Sequence, residues 1–183
     1  NYLIGLYPKT VQSEVWDNTK TLISASLNPQ GTCSYSSNAE TATINGHWTF
    51  NSGCDHADWL LLGCRQKEAE PVLALLHKSE YQILEGSWDV MGLKGTGSKD
   101  AKVQEKTIPA KRILPFSIAI NPLAALLTLV IVSPVIGGAQ SAVNTFASTL
   151  KKKQSQIEKD PLLSIDSLFL KLAEASAEVD AAR

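Results

Sequence analysis

The sequence predicts an α+β protein built in two successive parts, a β-rich half and then a helical half. Two patterns carry this reading. Short runs of β-branched and aromatic residues, separated by turn dipeptides, fill the chain up to about residue 112. Beyond it, apolar residues recur at helical spacing. The composition agrees: 183 residues, 44% hydrophobic and 19% charged, suit a packed core and argue against disorder.

The elements follow in order. Residues 1–20 read as the tail of a helical segment, closed by Pro8 and Trp16. Thr21 to Ser26 reads as a strand ending in the turn Asn28-Pro29-Gln30-Gly31. Thr41 to Ile44, Asn45-Gly46 and His47 to Phe50 read as a hairpin, because Asn-Gly accepts the positive φ angles of a type I′ turn. Asp58 to Cys64, Pro71 to His77, Tyr81 to Leu84, Trp88 to Gly92 and Ala101 to Ile108 complete a set of about seven strands, the number expected of a sandwich or barrel. In the helical half, Ala139, Val143, Phe146 and Leu150 share one face, and Lys151-Lys152-Lys153 suit a helix C-terminus. Asp160-Pro161 reads as a helix start, followed by a stripe of Leu162, Ile165, Phe169, Leu172, Ser176 and Val179.

Charge and cysteine usage exclude several classes. A net charge of −1 leaves no electrostatic footprint for nucleic acid. Three cysteines, an odd number, do not make a disulfide framework. Residues 113–139 carry no charge after Arg112 and are long enough to span a bilayer. Pro115, Pro122 and Pro134 interrupt them, so a buried bundle helix is expected and no membrane association. The opening Asn1-Tyr2-Leu3-Ile4 has no signal-peptide character, and the absence of an initiator Met suggests a piece of a longer protein.

The richest chemistry lies in Phe50-Asn51-Ser52-Gly53-Cys54-Asp55-His56-Ala57-Asp58-Trp59. Cys54, His56 and Cys64 could serve as soft metal ligands, but their spacing matches no zinc pattern, and no metal is expected. Cys54 with His56 could form a thiolate pair, against which stands the commoner role of Cys as a core residue. His56 could act as a base oriented by Asp55 or Asp58; the alternative is a turn residue. His47 and His77 have no partner in sequence and read as surface residues. Gly95-Thr96-Gly97 is half of a dinucleotide fingerprint, with no helix pattern after it. Ser52, flanked by Trp48 and Phe50, offers a hydroxyl beside a flat apolar wall, a combination that suits a heteroaromatic ligand.

Four segments taken together carry a resemblance. They are Leu22 to Gly31, Asn45 to Trp59, Trp88 to Asp100 and Leu172 to Arg183. In this order and separation they resemble flavin-dependent monooxygenases of the acyl-CoA dehydrogenase fold, in particular the oxygenase components of two-component aromatic hydroxylases. The resemblance implies residues 1–20 as the tail of an N-terminal helical domain, 21–112 as a flavin-binding middle β-barrel domain, and 113–183 as part of a C-terminal helical bundle. It implies reduced FMN or FAD delivered by a separate flavin reductase, O2 and a small phenolic substrate, a homotetramer, and a cytoplasmic setting. By position it implies flavin contacts at Ser24, Ser26, Leu27, Phe50, Asn51 and Ser52, with Ser52 hydrogen-bonded to flavin N5. Chemistry would run through a flavin C4a-hydroperoxide, which a donor at N5 and a dry pocket protect. The histidine that serves relatives as base falls beyond Arg183. Relatives also carry a longer connection between Pro109 and Pro115 and are roughly double in length. The alternatives are an acyl-CoA dehydrogenase, for which no bundle glutamate can be assigned, and a non-catalytic fragment that only binds flavin or oligomerises.

Overall fold

The computed structural model describes residues 2–34, 39–120, 124–157 and 165–182. They fall into two compact units, residues 1–121 and 122–183. The first unit is built on one seven-stranded sheet: β1 (Ile23–Ser34), β2 (Thr41–Trp48), β3 (Trp59–Arg65), β4 (Val72–His77), β5 (Gln82–Leu84), β6 (Asp100–Pro109) and β7 (Ile113–Pro115), in the order β5-β6-β2-β1-β3-β4-β7. The β1·β3 pair is parallel and the other pairs are antiparallel.

The unbroken apolar runs of β3 and β4 have a simple cause. Both faces of these strands are buried, and alternate residues serve different cores. Leu60, Leu62, Cys64, Val72, Ala74 and Leu76 join Ala42, Ile44, Trp48, Ala101 and Val103 in one cluster. Among the described residues no α-helix contributes to that cluster, so the sheet closes over its own inner face with Cys54 and Ala57 of the β2–β3 connection. Trp59, Leu61, Leu73 and Leu75 point the other way, onto Ile4, Tyr7, Val11 and Val15. Of these, Val11 and Val15 belong to α1 (Lys9–Val15). The Tyr7 hydroxyl donates to the Leu73 carbonyl at 2.9 Å, and burial pushes its pKa up. Pro8 follows the 3-10 helix Leu3–Leu6 and directly precedes α1, which ends at its C-cap Trp16.

Three expected features of the sheet are corrected. Asn45-Gly46 is not a hairpin turn: β2 runs straight through it, with a register shift against β6 between Ile44 and Gly46. Asn28 to Gly31 is likewise no turn but an irregularity inside β1. The cause is Trp48. A Cβ on Gly31 would lie 1.9 Å from its indole, and a Cβ on Gly46, at φ 156°, would lie 2.5 Å from the Gly31 Cα. The glycines make room for the ring, whose Nε1 donates to the Gly63 carbonyl at 2.5 Å, rather than reversing the chain. Trp88 to Gly92 forms no strand; it enters a loop with a short 3-10 turn at Lys94–Thr96 between left-handed residues Leu93 and Gly97.

The second unit holds α3 (Ala124–Ile157) and α4 (Ile165–Ala181). A short α2 (Phe116–Ile120) ends the first. Pro134 lies inside α3 rather than ending it. By length and composition, Thr128–Ser155 is apolar enough to cross a membrane. Residues 128–130 and 132–135 are exposed here, in contrast to the buried helix expected from their sequence. The expected helix start at Asp160-Pro161 and the first stripe residue, Leu162, lie outside the described residues.

Candidate functional site

Two irregular segments meet beside the start of β1. The first, Thr49 to Asp58, leads from β2 to β3; the second, Ser87 to Lys99, leads to β6. Backbone bonds tie them: Asn51 N–H donates to the Lys99 carbonyl at 3.1 Å and Gly53 N–H to the Thr96 carbonyl at 2.8 Å. The Asn51 amide adds bonds to the Trp48 and Lys99 carbonyls at 2.8 and 3.0 Å. Across the two loops, Lys99 Nζ lies 2.7 Å from Glu85 and 2.9 Å from Asp55, which raises the lysine pKa.

β1 supplies the opposite wall. Ser24 donates its hydroxyl to the Ser52 carbonyl at 2.7 Å, and Ser26 donates to the Thr49 carbonyl at 2.8 Å. Both hydroxyls are buried and their protons are spent on holding the loop. Gln30 adds a further tie, accepting from Thr49 N–H at 2.7 Å. Along Ile23–Ser26 the ladder partner of β1 is β3; β2 joins β1 only at Thr32–Ser34. Among the described residues no second strand pairs with β1 along Ile23–Ser26, where the Ser24 side chain meets Ser52. Leu27 turns its side chain toward the α1 side and packs with the second cluster.

Phe50 stands out of this frame. Its φ is 59°, an uncommon conformation for a bulky residue, and the residue is 66% exposed. Its ring meets Trp88 edge-on, centroids 5.9 Å apart. Ser52 is exposed too, and its hydroxyl bonds Ser98 at 2.7 Å; Ser98 in turn bonds Thr96 at 2.7 Å. An exposed, strained aromatic, a half-buried second ring and a hydroxyl with hydrogen-bonding capacity to spare thus lie together beside β1. A flat heterocycle fits this arrangement, with rings for its faces and backbone and hydroxyl groups for its polar rim.

The predicted residues divide accordingly. Ser24, Ser26, Phe50, Asn51 and Ser52 come together, while the Leu27 side chain leaves the group. Asn51 is fully buried and its amide braces the two loops; its Oδ1 has no hydrogen-bond partner. His56 is exposed in the 3-10 turn Cys54–His56, and neither suggested carboxylate orients it. Asp55 pairs with Lys99; Asp58 pairs with Lys78 at 2.8 Å and accepts from Leu22 N–H at 3.3 Å. The turn-residue reading of His56 fits this geometry better than the base. Burial raises the Cys54 thiol pKa, with Asp55 adding to the shift, which disfavours a thiolate. His47 and His77 do have partners: His47 bonds Asp100 at 2.7 Å, and His77 stacks edge-on against Trp59. Sequence reasoning missed Trp88, read as a strand residue, and the roles of Ser98 and Thr96. The signal available was a glycine-rich segment whose intervening residues carry hydroxyls.

Comparison with known proteins bears on both units. Residues 129–183 match the family described as acyl-CoA dehydrogenase, C-terminal domain. The chain is 29% identical over 209 aligned positions to the flavin-dependent monooxygenase oxygenase subunit HsaA of Rhodococcus jostii, covering 100% of this chain and 53% of that protein. It is 28% identical to the oxygenase component of an FADH(2)-dependent resorcinol hydroxylase from a Rhizobium strain, covering 99% of this chain and 50% of that protein. The crystal structure of a 3-HSA hydroxylase from Rhodococcus sp. RHA1 superposes with a TM-score of 0.76 at 28% identity, over 99% of this chain and 50% of that one. The chain thus spans about half the length of these relatives. The match to the R. jostii protein extends over 209 positions for 183 residues, so gaps in this chain interrupt it.

Proposed function

Because the chain has the acyl-CoA dehydrogenase-like fold and is a homologue of the oxygenase components of flavin-dependent hydroxylases, we propose that its parent protein is such a component acting on an aromatic substrate. A separate reductase supplies the reduced flavin, and O2 is the co-substrate. The carrying observation is the hydroxyl of exposed Ser52 set near the start of β1 and the pair formed by exposed Phe50 and half-buried Trp88.

The residues present fit a flavin. The edge of Ile23–Ser26 would offer backbone groups to its polar rim, Phe50 and Trp88 would give an apolar wall, and the Ser52 hydroxyl would supply a hydrogen bond at N5. When bound, reduced flavin supplies the oxygen-activating chemistry; the protein supplies position and shelter. Ser24 and Ser26 hold the Ser52 and Thr49 carbonyls, so the Ser52 hydroxyl keeps its place without ligand. Asn51 acts as a brace between the loops, and Leu27 contributes through its backbone. FMN and FAD both suit this rim. The exposed apolar residues of α3 and α4 favour packing into a helical bundle, within a homotetramer, over a membrane span: the family match to the acyl-CoA dehydrogenase C-terminal domain begins at residue 129, within the same apolar stretch. The protein is assigned to the cytoplasm on the same reading.

The test uses the full-length protein. Anaerobic titration with photoreduced FMN and FAD measures flavin binding, and a reductase-coupled assay measures hydroxylation of a phenol panel. Ser52→Ala is expected to weaken binding of reduced flavin about three- to tenfold, the worth of one hydrogen bond. Unchanged binding removes Ser52 from the site. Reduction of bound flavin by an acyl-CoA thioester, with no phenol hydroxylated, replaces the oxygenase reading by a dehydrogenase.

A further inference from the structure

We propose that Ser52, Ser98 and Thr96 form a reversible hydroxyl relay that lets the site read the redox state of the bound ring, favouring the reduced form. This inference rests on the flavin reading above. Three hydroxyls stand in a row. Ser52 Oγ lies 2.7 Å from Ser98 Oγ, and Ser98 Oγ lies 2.7 Å from Thr96 Oγ1. The inner end is a carbonyl: Thr96 Oγ1 donates to Leu93 O at 2.9 Å. Ser98 is buried, so its hydroxyl is sheltered from competing water.

Each hydroxyl has one proton, and this fixes what the row can do. If Thr96 donates to the Leu93 carbonyl, Ser98 donates to Thr96 and Ser52 donates to Ser98. Ser52 then presents only lone pairs outward. If the row reverses, Thr96 donates to Ser98, Ser98 to Ser52, and Ser52 donates outward. Only three protons rotate between these states. The Ser52 backbone stays pinned, its N–H on the Phe50 carbonyl at 3.0 Å and its carbonyl under Ser24.

Both polarities are accessible. The Leu93 carbonyl accepts from Thr96 N–H at 3.0 Å and from Trp88 Nε1 at 3.3 Å as well as from the Thr96 hydroxyl. Three donors share two lone pairs, so withdrawing the hydroxyl leaves no orphaned acceptor. The carbonyl nevertheless biases the resting row inward, since it accepts and cannot donate.

Flavin N5 changes sense on reduction: the oxidised ring carries an acceptor there, and the two-electron-reduced ring an N–H donor. An inward row matches the reduced ring, and reversal accommodates the oxidised one. Ser98 and Thr96 are therefore positioning residues that act through Ser52. The relay also gives the Gly95-Thr96-Gly97-Ser98 segment a role that needs no phosphate.

The test measures dissociation constants of oxidised and photoreduced flavin, anaerobically, on the full-length protein freed of flavin. Thr96→Val keeps the shape and removes the inner acceptor. The Ser98 proton must then turn to Ser52, and Ser52 must donate outward. The preference for reduced over oxidised flavin is expected to fall about three- to tenfold, with the midpoint potential of the bound flavin falling in step. Thr96→Ser is expected to restore both. Should the valine variant not fold, Ser98→Ala cuts the same row and should lower the preference by a smaller factor. An unchanged or increased preference in a variant that binds flavin overturns the relay alone. A wild-type protein that binds neither redox form overturns the functional reading, and the relay with it.

Discussion

The two units of this chain bury their apolar residues differently. In the sheet unit, Leu60, Leu61, Leu62, Leu73, Leu75 and Leu76 are almost fully enclosed, each against partners in the same unit. In the helical unit, Leu150 is the one buried hydrophobic among the described residues, while Val135 and Leu170 are 68% and 62% exposed. A helix face of that kind is stable only when something covers it. The first unit closes its own cores; the second presents surface that the proposed bundle would close. The candidate site belongs to the self-contained unit, which suits a site that must hold its geometry before ligand arrives.

Paired truncations break this comparison most sharply. Leu75→Ala removes a fully buried side chain between β4 and the α1 side and is expected to cost about 2–5 kcal/mol. Leu170→Ala on α4 is expected to change stability by about 0.5 kcal/mol or less in the 183-residue chain. Chemical denaturation of both variants gives the answer; similar losses would mean that the helical face is already covered in solution.

A polar tie within the sheet unit comes next. Arg112, buried after β6, pairs with Glu14 of α1 and with Glu80 at 3.1 Å, and its guanidinium lies 4.8 Å from the centroid of the Trp59 ring. Arg112→Met keeps much of the volume but leaves two carboxylates facing each other. The expected loss is about 2–4 kcal/mol. Arg112→Lys should recover little of it, because a point charge replaces neither the fork nor the stacking. A methionine variant as stable as wild type would show that packing alone attaches α1 to the sheet.

The sequence spoke clearly where one local rule acted. Strands β3 and β4 followed from short apolar runs, and the helical second half from helical spacing, because burial enforces both. It misled where a distant side chain overrode the local signal. Asn45-Gly46 looks like a turn by itself, yet its glycine serves the Trp48 ring, which packs between Gly31 and Gly46 and bonds Gly63. Asn28 to Gly31 failed for the same reason. At the candidate site, Ser52 and Phe50 were singled out by the resemblance of their segment, and the structure brings that segment together with Ser24 and Ser26. Ser98 and Thr96 were not, since a contact across more than forty residues leaves no local pattern, and Trp88 reads as a β residue by propensity although it lies in a loop.

The smallest expected effect concerns Asp58, at the hinge between the site segment and β3. Its carboxylate takes hydrogen bonds from Lys78 Nζ and Leu22 N–H, while its own N–H donates to the Leu22 carbonyl at 2.8 Å. These contacts lower its pKa below the ordinary 3.8, the Lys78 bond contributing most. The sign follows from linkage. A carboxyl whose folded value is depressed adds stability in full above its unfolded value, and that stability is lost as pH falls through the folded value. The group is exposed to water, so the contribution is modest. Asp58→Asn should therefore lower Tm slightly and evenly above about pH 5, with the gap from wild type closing as pH drops below 3.8. A gap that persists in acid would assign the effect to the Leu22 backbone contacts, which asparagine also alters, rather than to charge. It would leave the self-contained character of the sheet unit resting on its two apolar cores and the Arg112 tie.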